Sequence, residues 1–425
     1  MRTVDVVVVG GGVAGLVGAC ETARGGLSTL LLEAAPDVGG RARTRDSGGY
    51  ALNQGPHALY VEGAFRKALA DLGVDHPGRP PNIAAGALLW GEARHPLPLS
   101  LGAILRLTPL GVLDRLQLAR TFGQIAEGRY GLRGQPLRAF TSALRPKVGQ
   151  LLEAMVRLST YANAPDDIDG QAALDQVRLS LGGVIYLDGG WGRIVEGLRR
   201  VGETAGVEVA TSRRAALVVR SGENWRTRVE GGEVVESRSV ILAVDPAESP
   251  RLCPSSVELS RAVALARPIR AVSLDLALSS RPVAGSGFAL GVDEALYFSI
   301  HSDAAKLAPE GGAVIHASRY LAPDEAARPE HLGRLERLVT LMQPGWRAAE
   351  VGRQRLTGIV VAHDIPHHAR GGRRAPVSPA DAPGLFLAGD WVGDAGMLSD
   401  ASAASARAAA AGVLQRQGRG IMKAA

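Results

Sequence analysis

The stretch VVVVGGGVAGL, residues 6–16, decides the fold of this chain. A run of valines bounded by glycine is typical of a strand buried on both faces of a parallel sheet. Gly10, Gly12 and Gly15 then follow in the G-x-G-x-x-G spacing, at the start of a helix expected from Val13 to Arg24. The first glycine permits a tight turn, the second lets the backbone approach a pyrophosphate, and the third lets the helix pack closely on the strand. This order therefore predicts a dinucleotide-binding start.

The next residues complete the nucleotide-binding unit. STLLLEA (28–34) predicts a second parallel strand, so that strand, helix and strand form one βαβ unit. Amides at the helix N-terminus, at Val13 and Ala14, are expected to face the phosphates, where the helix dipole favours negative charge. Glu33 ends the second strand where a carboxylate binds ribose hydroxyls, with Ala34 beside it. Because this carboxylate would repel a 2′-phosphate, the pattern predicts a cofactor without one.

Composition argues against several classes of protein. The 425 residues allow two or three domains, and the net charge of +6 comes from Arg residues spread along the chain without interleaved aromatics, so no nucleic-acid partner is expected. Cys20 falls in the first helix and Cys253 in a loop, which disfavours a disulfide framework and a CxxC metal site. No signal peptide is recognised, and no apolar run reaches the roughly 20 residues that span a bilayer. We expect a cytoplasmic protein, with peripheral contact to a membrane surface left open.

The middle of the chain has patterns of a different kind. Residues 97–125 carry apolar side chains at helical spacing, broken at Pro109, which predicts amphipathic helices. Residues 268–320 contain several β-like runs, and residues 324–343 have the periodicity of a helix. A substrate domain with a helical part and a sheet part is therefore expected between the nucleotide-binding segments.

The segment EAAPDVGGRART (33–44) separates FAD from NAD as the expected cofactor. It resembles the E…GGR extension of the flavin amine oxidase, protoporphyrinogen oxidase and phytoene desaturase superfamily, in which it runs along the FAD pyrophosphate with the Arg, here Arg41, near it. The resemblance continues in NQGPHALY (53–60), GGWGRIVEGLRR (189–200) and SVILAVDP (239–246). In the family, the first of these passes beside the flavin ring and the others return the chain to the FAD fold.

The C-terminal residues extend the resemblance. GLFLAGD (384–390) matches the family strand that places an acid, here Asp390, near the ribityl and pyrophosphate region of FAD. A final Ala-rich helix, expected from Ser399 to Leu414, would point its N-terminal amides at the flavin pyrimidine carbonyl, with Ser399 or Asp400 as its cap. Ala401 and Ala406 stand where the family usually has glycine, and Ser405 is retained.

The resemblance implies FAD bound without a covalent link, since no Cys or His lies at a recognisable attachment position. The implied cofactor-binding residues are Gly10, Gly12, Val13, Ala14, Gly15, Glu33, Ala34, Gly40, Arg41, Gly55, Pro56, His57, Ala58, Ala215, Gly389, Asp390, Met397, Leu398 and Ser399.

The same resemblance implies an α/β fold. We expect a Rossmann-like FAD-binding domain of the discontinuous GR2 type with an α+β substrate domain, which contains a mixed or antiparallel sheet and a helical cap. The FAD-binding domain would comprise residues 1–75, 186–262 and 372–425. The substrate domain would comprise the helical cap, 76–185, and the sheet part, 263–371.

The reaction implied by the family is removal of a hydride from a small-molecule substrate to the flavin, which O2 or another acceptor then reoxidises. His57 is the candidate catalytic residue because GPHALY should bring it to the flavin, although it could instead satisfy backbone groups in a turn. Tyr60 and Trp391 are expected to border the pocket. HDIPHH (363–368) is interpreted as a loop, so no metal is expected.

The substrate is the least determined part of the sequence prediction. Lys occurs only at positions 67, 147, 306 and 423, none in the setting of the amine oxidase lysine, and aromatic residues make up only 4%. We therefore expect no amine cage and favour a lipophilic substrate that undergoes dehydrogenation of the phytoene desaturase or protoporphyrinogen oxidase kind. A flavin amine or amino-acid oxidase, a non-redox flavin-dependent isomerase and a FAD-less binding protein remain as alternatives.

Overall fold

The computed structural model describes residues 2–419 apart from the side chain of Leu101. Met1 and residues 420–425, at the ends of the first and last expected segments, lie outside the described residues. The strands are β1 Arg2–Val9, β2 Thr29–Leu32, β3 Thr44–Ser47, β4 Tyr50–Asn53, β5 Leu59–Tyr60, β6 Gly78–Arg79, β7 Ala87–Trp90, β8 Ala93–Pro96, β9 Val184–Leu187, β10 Val207–Ala210, β11 Ala215–Ser221, β12 Asn224–Val229, β13 Val234–Leu242, β14 Ile269–Leu278, β15 Phe288–Gly291, β16 Leu296–Ile300, β17 Ala313–Tyr320, β18 Glu350–Ala362 and β19 Leu385–Leu387. The α-helices are α1 Val13–Arg24, α2 Ala64–Leu72, α3 Leu101–Leu105, α4 Val112–Ala126, α5 Leu137–Thr141, α6 Pro146–Thr160, α7 Gly170–Leu181, α8 Gly192–Thr204, α9 Ser249–Leu252, α10 Val257–Ala264, α11 Pro329–Met342, α12 Trp346–Ala349 and α13 Leu398–Arg416.

The first sheet is assembled from distant parts of the chain. Its order is β10-β2-β1-β13-β12-β11, with β19 also paired to β13, and β10, β2, β1, β13 and β19 run parallel. The valines of β1 alternate between two cores: Val6 and Val8 face the side of α1 and α13, whereas Val7 and Val9 face the opposite side. A βαβ start, a middle segment and the C-terminal strand therefore form one Rossmann-like sheet.

The Ala-rich C-terminal helix packs along the first helix. α1 occupies Val13–Arg24 as expected, and α13 begins one residue before the expected Ser399 and extends two residues beyond Leu414. A Cβ built on Gly18 of α1 would lie only 4.0 Å from the Cβ of Ala406, so the two helices approach closely. The run of alanines therefore has a packing reason, because small side chains allow this contact.

The second sheet is mixed. Its order is β18-β14-β17-β16-β15-β7-β8, and every pairing is antiparallel except that of β15 with β7. α11, which begins at Pro329 rather than at the expected position 324, packs on one face of this sheet through residues such as Leu335 and Leu338. The chain thus has the expected α/β class, with a Rossmann-like domain and a second domain built around this sheet.

One part of the expected helical cap, residues 76–185, is not helical. Residues 87–96 form the hairpin of β7 and β8, which turns at Gly91 (φ +60°) and extends the second sheet. The four-residue runs ALLW and ARHP are too short to carry a periodicity that separates strand from helix. The helices expected within residues 97–125 are present as α3 and α4, with Pro109 between them. Across residues 2–419 no helix combines the length and the apolar character needed to cross a membrane.

Asp400 caps a different helix from the one expected, and Ser399 caps none. The N-cap of α13 is Met397, with no side-chain hydrogen bond, so the prediction of Ser399 or Asp400 at this position is wrong. Asp400 Oδ1 instead accepts a hydrogen bond of 2.8 Å from the amide of Phe65 in the first turn of α2. A Cβ on Gly63 would lie 2.5 Å from the same oxygen, so this glycine permits the contact. The buried carboxyl group therefore joins the starts of two helices through residues that are 335 positions apart in sequence.

This burial leads to a stability prediction. Desolvation raises the pKa of Asp400 to about 6, despite the hydrogen bond from Phe65. The folded pKa lies above the unfolded value of about 3.9, so folded protein binds the proton more tightly and loses stability as pH rises between these values. We expect Asp400→Asn, which keeps the acceptor, to raise the free energy of unfolding by about 2 kcal/mol at pH 8 and to change it little at pH 4. Urea unfolding at both pH values measures this, with the exposed Asp37→Asn as control. An equal effect of Asp400→Asn at the two pH values would contradict the assignment.

Candidate functional site

A single cavity of about 830 Å³ runs from the glycine turn after β1 to the second sheet. One end is lined by residues that follow strands of the first sheet, including Gly10, Glu33 and Asp390. The other end is lined by aromatic and apolar side chains, including Tyr161, Tyr297 and Phe288. The cavity therefore joins a nucleotide-binding type of wall to an apolar chamber.

The three glycines of the first turn serve three different structural needs. Gly10 has φ +102°, and a Cβ there would lie 2.5 Å from the carbonyl oxygen of Ala243. A Cβ on Gly15 would lie 1.8 Å from the Gly10 carbonyl oxygen, so this residue serves the packing of α1 on β1. Gly12 lines the cavity, has an ordinary φ of −71°, and a Cβ there would meet no atom within 4 Å. Gly12 is thus the glycine that leaves space for a ligand.

Glu33 is held in a fixed position at the end of β2. Its Oε2 accepts a hydrogen bond of 2.6 Å from the Gly11 amide, and its Oε1 accepts one of 2.7 Å from the Ala35 amide. A carboxylate oxygen has more than one lone pair, so each oxygen retains an acceptor position for a ribose hydroxyl. Ala34 and Ala215 lie on the same wall of the cavity.

A cluster of charged side chains surrounds the buried Asp390, which follows β19. Asp390 accepts hydrogen bonds from Arg41 Nη1 (2.8 Å), from the His363 amide (3.2 Å) and from His363 Nδ1 (3.0 Å). His363 Nε2 also lies 3.2 Å from Asp245 Oδ2. Burial alone would raise the pKa of Asp390, but Arg41 and His363 hold it below its usual range. For His363 burial acts to lower the pKa, and the bonds to Asp245 and Asp390 raise it above its ordinary value.

This cluster changes the interpretation of HDIPHH. His363 lies on the cavity wall beside Asp390, whereas the sequence indicated only a loop. Asp245 and Asp390 stand at the ends of neighbouring parallel strands, β13 and β19, and His363 follows β18 of the second sheet. A sequence pattern does not reveal this meeting, because it depends on how the two sheets are placed.

Arg374 organises the loop between β19 and α13, and sequence reasoning missed it. Its guanidinium donates to the carbonyl oxygens of Gly393 (2.7 Å), Ala395 (3.1 Å), Gly396 (2.8 Å) and Asp390 (3.3 Å). The side chain is buried, and the planar fork of Arg suits several acceptors at fixed angles. Arg374 therefore sets the path of the chain from Asp390 to the start of the last helix.

The first turn of α13 reaches the cavity through Leu398 and Ser399. Leu398 has φ +55°, a left-handed conformation that is unfavourable for a residue with a branched side chain. Such strain persists where the surrounding structure enforces it and is frequent at ligand sites. Tyr161, which also lines the cavity, has a left-handed backbone as well, with φ +60°.

His57 and Trp191 form an aromatic pair on the cavity wall, with ring centroids 4.8 Å apart. The His57 Nδ1 lies 3.0 Å from the Gly55 carbonyl oxygen, a contact within its own turn. Burial lowers the pKa of His57 to about 4, so the ring is neutral at pH 7. The Trp191 Nε1–H is buried and has no hydrogen-bond partner among residues 2–419. This free donor fits a ligand rich in oxygen acceptors.

Most of the residues expected to bind the cofactor meet on this wall. Those that line the cavity are Gly10, Gly12, Val13, Ala14, Glu33, Ala34, Gly40, Arg41, Pro56, His57, Ala58, Ala215, Gly389, Asp390, Leu398 and Ser399, with Tyr60 and Trp391 also present. Gly15, Gly55 and Met397 do not line it. Gly15 packs on Gly10, and the Gly55 amide donates to Asp275 Oδ2 at 3.1 Å, so both act behind the wall.

The inner chamber is richer in aromatic residues than the composition suggested. Four of the seven tyrosines line it: Tyr60, Tyr161, Tyr186 and Tyr297. The Tyr60 hydroxyl donates to the Ser159 carbonyl (2.7 Å) and the Tyr161 hydroxyl to the Pro56 carbonyl (3.1 Å). The low aromatic content of the whole chain therefore does not predict the aromatic content of this wall, because the fold brings together tyrosines from four separate elements.

Comparison with known proteins places this geometry in context. The model of the NAD(P)-binding Rossmann-like domain family matches residues 8–72. A phytoene desaturase of Cercospora nicotianae is 25% identical over 289 residues, covering 56% of this chain and 46% of that protein. AofH of Mycobacterium tuberculosis, which bears the name of a flavin-containing monoamine oxidase, is 28% identical over 274 residues and 58% of each chain is covered. The chain thus spans about half the length of these curated relatives.

A solved structure extends the likeness to the whole fold. A putrescine oxidase variant superposes with a TM-score of 0.77 at 15% identity, covering 98% of this chain and 99% of its own. At this identity the likeness shows the fold alone. The chain is thus similar in sequence to a phytoene desaturase and to a flavin-containing monoamine oxidase, and similar in fold to a putrescine oxidase.

Proposed function

We propose that the protein is an oxidoreductase that binds FAD without a covalent link. The observation that carries this proposal is the single cavity, which joins the glycine turn, Glu33 and Asp390 at one end to an apolar chamber at the other. The residues present fit the cofactor: Gly12 leaves space for a pyrophosphate, and the free Trp191 Nε1–H suits an oxygen acceptor. When bound, FAD would supply the site that accepts a hydride from the substrate.

We propose a lipophilic small molecule as the substrate, with O2 or another acceptor for reoxidation. The chamber beyond His57 is lined by side chains such as Met155, Leu158 and Phe288, and no lysine lines the described cavity. This wall would exclude water and orient the substrate for hydride removal. His57, neutral and packed at an angle against Trp191, would contact the flavin side of the chamber and position the substrate rather than carry charge.

The test is anaerobic mixing of the FAD-loaded protein with a panel of polyenes, porphyrinogens and amines while the visible flavin absorbance is followed. Rapid bleaching by a polyene or porphyrinogen, and slow or no bleaching by amines, is the expected result. Bleaching by amines alone would contradict the proposed substrate class. Conversion of a compound without any need for an electron acceptor would instead identify an isomerase.

Amine oxidation is a second candidate, favoured by the four tyrosines of the chamber. An aromatic wall attracts a cationic amine through cation–π interactions, each worth about 0.5 to 2 kcal/mol. The charged side chains of the described cavity wall, such as Glu33 and Asp390, come from the cofactor end and leave the chamber without an anionic partner for an ammonium group. Release of hydrogen peroxide with amines would favour this candidate over the first.

We further propose that the protein meets an anionic lipid surface through the apolar residues of α3 and α4 and the segment before them. Leu99, Leu105, Val112, Leu113 and Leu116 are 56 to 71% exposed. Leu99 also lines the cavity, as does the 57% exposed Leu181. The exposed Arg106 and Arg120 on the same stretch complement an anionic headgroup. A lipophilic substrate could then enter the cavity from the bilayer.

Replacement of two of these leucines should weaken membrane binding. We expect Leu113→Glu with Leu116→Glu to reduce co-sedimentation with vesicles of phosphatidylcholine and phosphatidylglycerol by about tenfold, because two apolar groups are lost and two repelling charges are gained. Val257→Glu with Leu265→Glu, at similarly exposed apolar positions elsewhere, serves as control. Equal sedimentation of the two double variants, or none by the unmodified protein, would contradict the proposal.

A further inference from the structure

The two faces of the second sheet differ in chemistry. On β14, β16 and β17, residues such as Leu274, Phe298 and Ile315 pack in an apolar core with α11. The alternate positions include six polar residues: Ser273, Asp275, Tyr297, Ser299, His316 and Ser318. All six are buried, with exposures of 4% or less. Burial of so many polar groups is costly unless they bond to one another or to a ligand, so this face requires an explanation.

Asp275 is the centre of the polar face. Its Oδ1 accepts hydrogen bonds from Ser273 Oγ (2.9 Å) and His316 Nδ1 (2.8 Å). Its Oδ2 accepts hydrogen bonds from the Gly55 amide (3.1 Å) and Gln354 Nε2 (3.1 Å). Four donors fix the carboxylate and link the sheet to the segment that carries His57. Both oxygens of Asp275 therefore have hydrogen-bond partners, and its neighbours are held in place.

A chain of hydrogen-bonding groups connects this face to the cavity wall. The Tyr297 hydroxyl lies 3.2 Å from His301 Nε2 and 3.3 Å from the Tyr186 hydroxyl. The His301 ring stacks on Tyr186, with centroids 3.7 Å apart, and meets the His316 ring edge to face at 4.4 Å. Tyr186, Tyr297 and Ser318 all line the cavity, and Ser318 Oγ lies 3.0 Å from Ser273 Oγ. The polar face therefore reaches the chamber at three side chains.

The groups that reach the chamber are uncharged. Desolvation lowers the pKa of His301 well below its ordinary value and raises the pKa of Tyr186 and of Tyr297, so all three are neutral at pH 7. A neutral hydroxyl both donates and accepts, which matches an alcohol or a carbonyl oxygen. A charged amine or carboxylate would meet no counterion here and would be costly to bury.

The polar face also has unused capacity. His316 donates through Nδ1 to Asp275, and its Nε2 is buried without a hydrogen-bond partner in the part of the chain that the structure describes. A network that only joined the sheet to residues 53–57 would need Asp275, Ser273 and Gln354, and not two tyrosines on the cavity wall. His316 does not line the cavity, so a ligand would meet this network only at the hydroxyl-bearing side chains that do line it, Tyr186, Tyr297 and Ser318.

We propose that Tyr186 and Tyr297, backed by His301, form a recognition site for one hydroxyl or carbonyl group of an otherwise apolar substrate. This inference rests on the proposed function and narrows it from lipophilic compounds in general to apolar ring or chain compounds that carry such an oxygen. Tyr297 is the contacting residue and His301 is a positioning residue, since it acts through the tyrosine hydroxyl. The site orients the substrate in the chamber, and an unfunctionalised hydrocarbon would lack that anchor.

The test compares two probes of the same shape, 2-naphthol and naphthalene, in the FAD-loaded protein. Their dissociation constants, followed by probe fluorescence, give an affinity ratio in which changes of general packing cancel. We expect 2-naphthol to bind about tenfold more tightly than naphthalene, the effect of one good hydrogen bond. Tyr297→Phe should reduce the ratio to about twofold or less, and His301→Phe, which retains a ring on Tyr186, should reduce it partly. Tyr161→Phe is the matched control, because Tyr161 lines the same cavity but its hydroxyl donates to the Pro56 carbonyl, outside the group of Tyr186, Tyr297 and His301, and the ratio should stay as in the unmodified protein.

Two results would overturn the inference: equal binding of the probes by the unmodified protein, or an undiminished preference for 2-naphthol in Tyr297→Phe. The first result is obtained with the unmodified protein, so the test remains decisive even if a variant fails to fold. Failure to load FAD at all would instead count against the proposed function, and is seen before any probe is added.

Discussion

Gly12→Val is expected to weaken FAD binding by at least about 100-fold while the apo-protein keeps its thermal stability. The backbone of Gly12 has φ −71°, which any residue adopts, and a Cβ there meets no protein atom within 4 Å. The space around Gly12 is part of the cavity and lies at the N-terminus of α1, where backbone amides are placed to donate hydrogen bonds to a phosphate. A branched side chain would fill that space and displace the pyrophosphate without disturbing the sheet. Equilibrium dialysis with FAD and thermal unfolding of the apo-protein measure the two parts.

Two other glycines provide the controls. Gly123→Val places the same side chain at another glycine with open space, at an exposed position of α4, and should leave FAD binding unchanged. Gly10→Ala should destabilise the protein itself, because its Cβ would meet the Ala243 carbonyl at 2.5 Å and its φ is +102°. If Gly12→Val binds FAD as tightly as the unmodified protein, the glycine turn is not the phosphate site.

The second large effect is expected from Arg374→Leu. The guanidinium donates four hydrogen bonds to the loop of residues 390–396, and their loss should lower the free energy of unfolding by about 4 kcal/mol, because each is a bond from a buried charged donor worth about 1 kcal/mol. The same loop positions Asp390 and leads into α13, so FAD affinity should fall as well. Urea unfolding and FAD titration measure both effects.

The neighbouring Arg373→Leu is the matched control, since Arg373 is exposed and should change either quantity only slightly. Arg374→Lys keeps the charge but offers a single ammonium group, and an intermediate loss is expected. A loss of stability in Arg373→Leu equal to that in Arg374→Leu would show that charge at the surface, and not the hydrogen-bonded fork, is what matters.

The sequence predicts those features of the fold that depend on local patterns of residues. The valines of β1, the glycine spacing and the limits of α1 follow from strand burial and turn geometry, and the structure has α1 at Val13–Arg24. The convergence of the glycine turn, Arg41, Asp390 and the start of α13 was also foreseen, through the family resemblance. Such features depend on residues that are close in sequence, or on a family motif whose residues are known to come together in the fold.

Other features depend on contacts between segments that are distant in sequence, and no local pattern or motif predicts them. Asp400 looked like a cap for its own helix, yet its carboxyl group bonds to Phe65 because α13 packs beside α2. His363 looked like a loop residue, yet the placement of β18 brings it to Asp390. The alternation of polar and apolar residues in AVSLDLAL (271–278) predicts a strand, but it does not indicate which face of that strand lies beside a cavity.

We propose that the two ends of the chain form one FAD site. The stoichiometry of flavin that stays with the purified protein after incubation with FAD and gel filtration tests this directly, read from the visible absorbance and from the cofactor released on denaturation. We expect one FAD per chain, released intact because no covalent bond holds it. A colourless protein that takes up no FAD would contradict the proposed site.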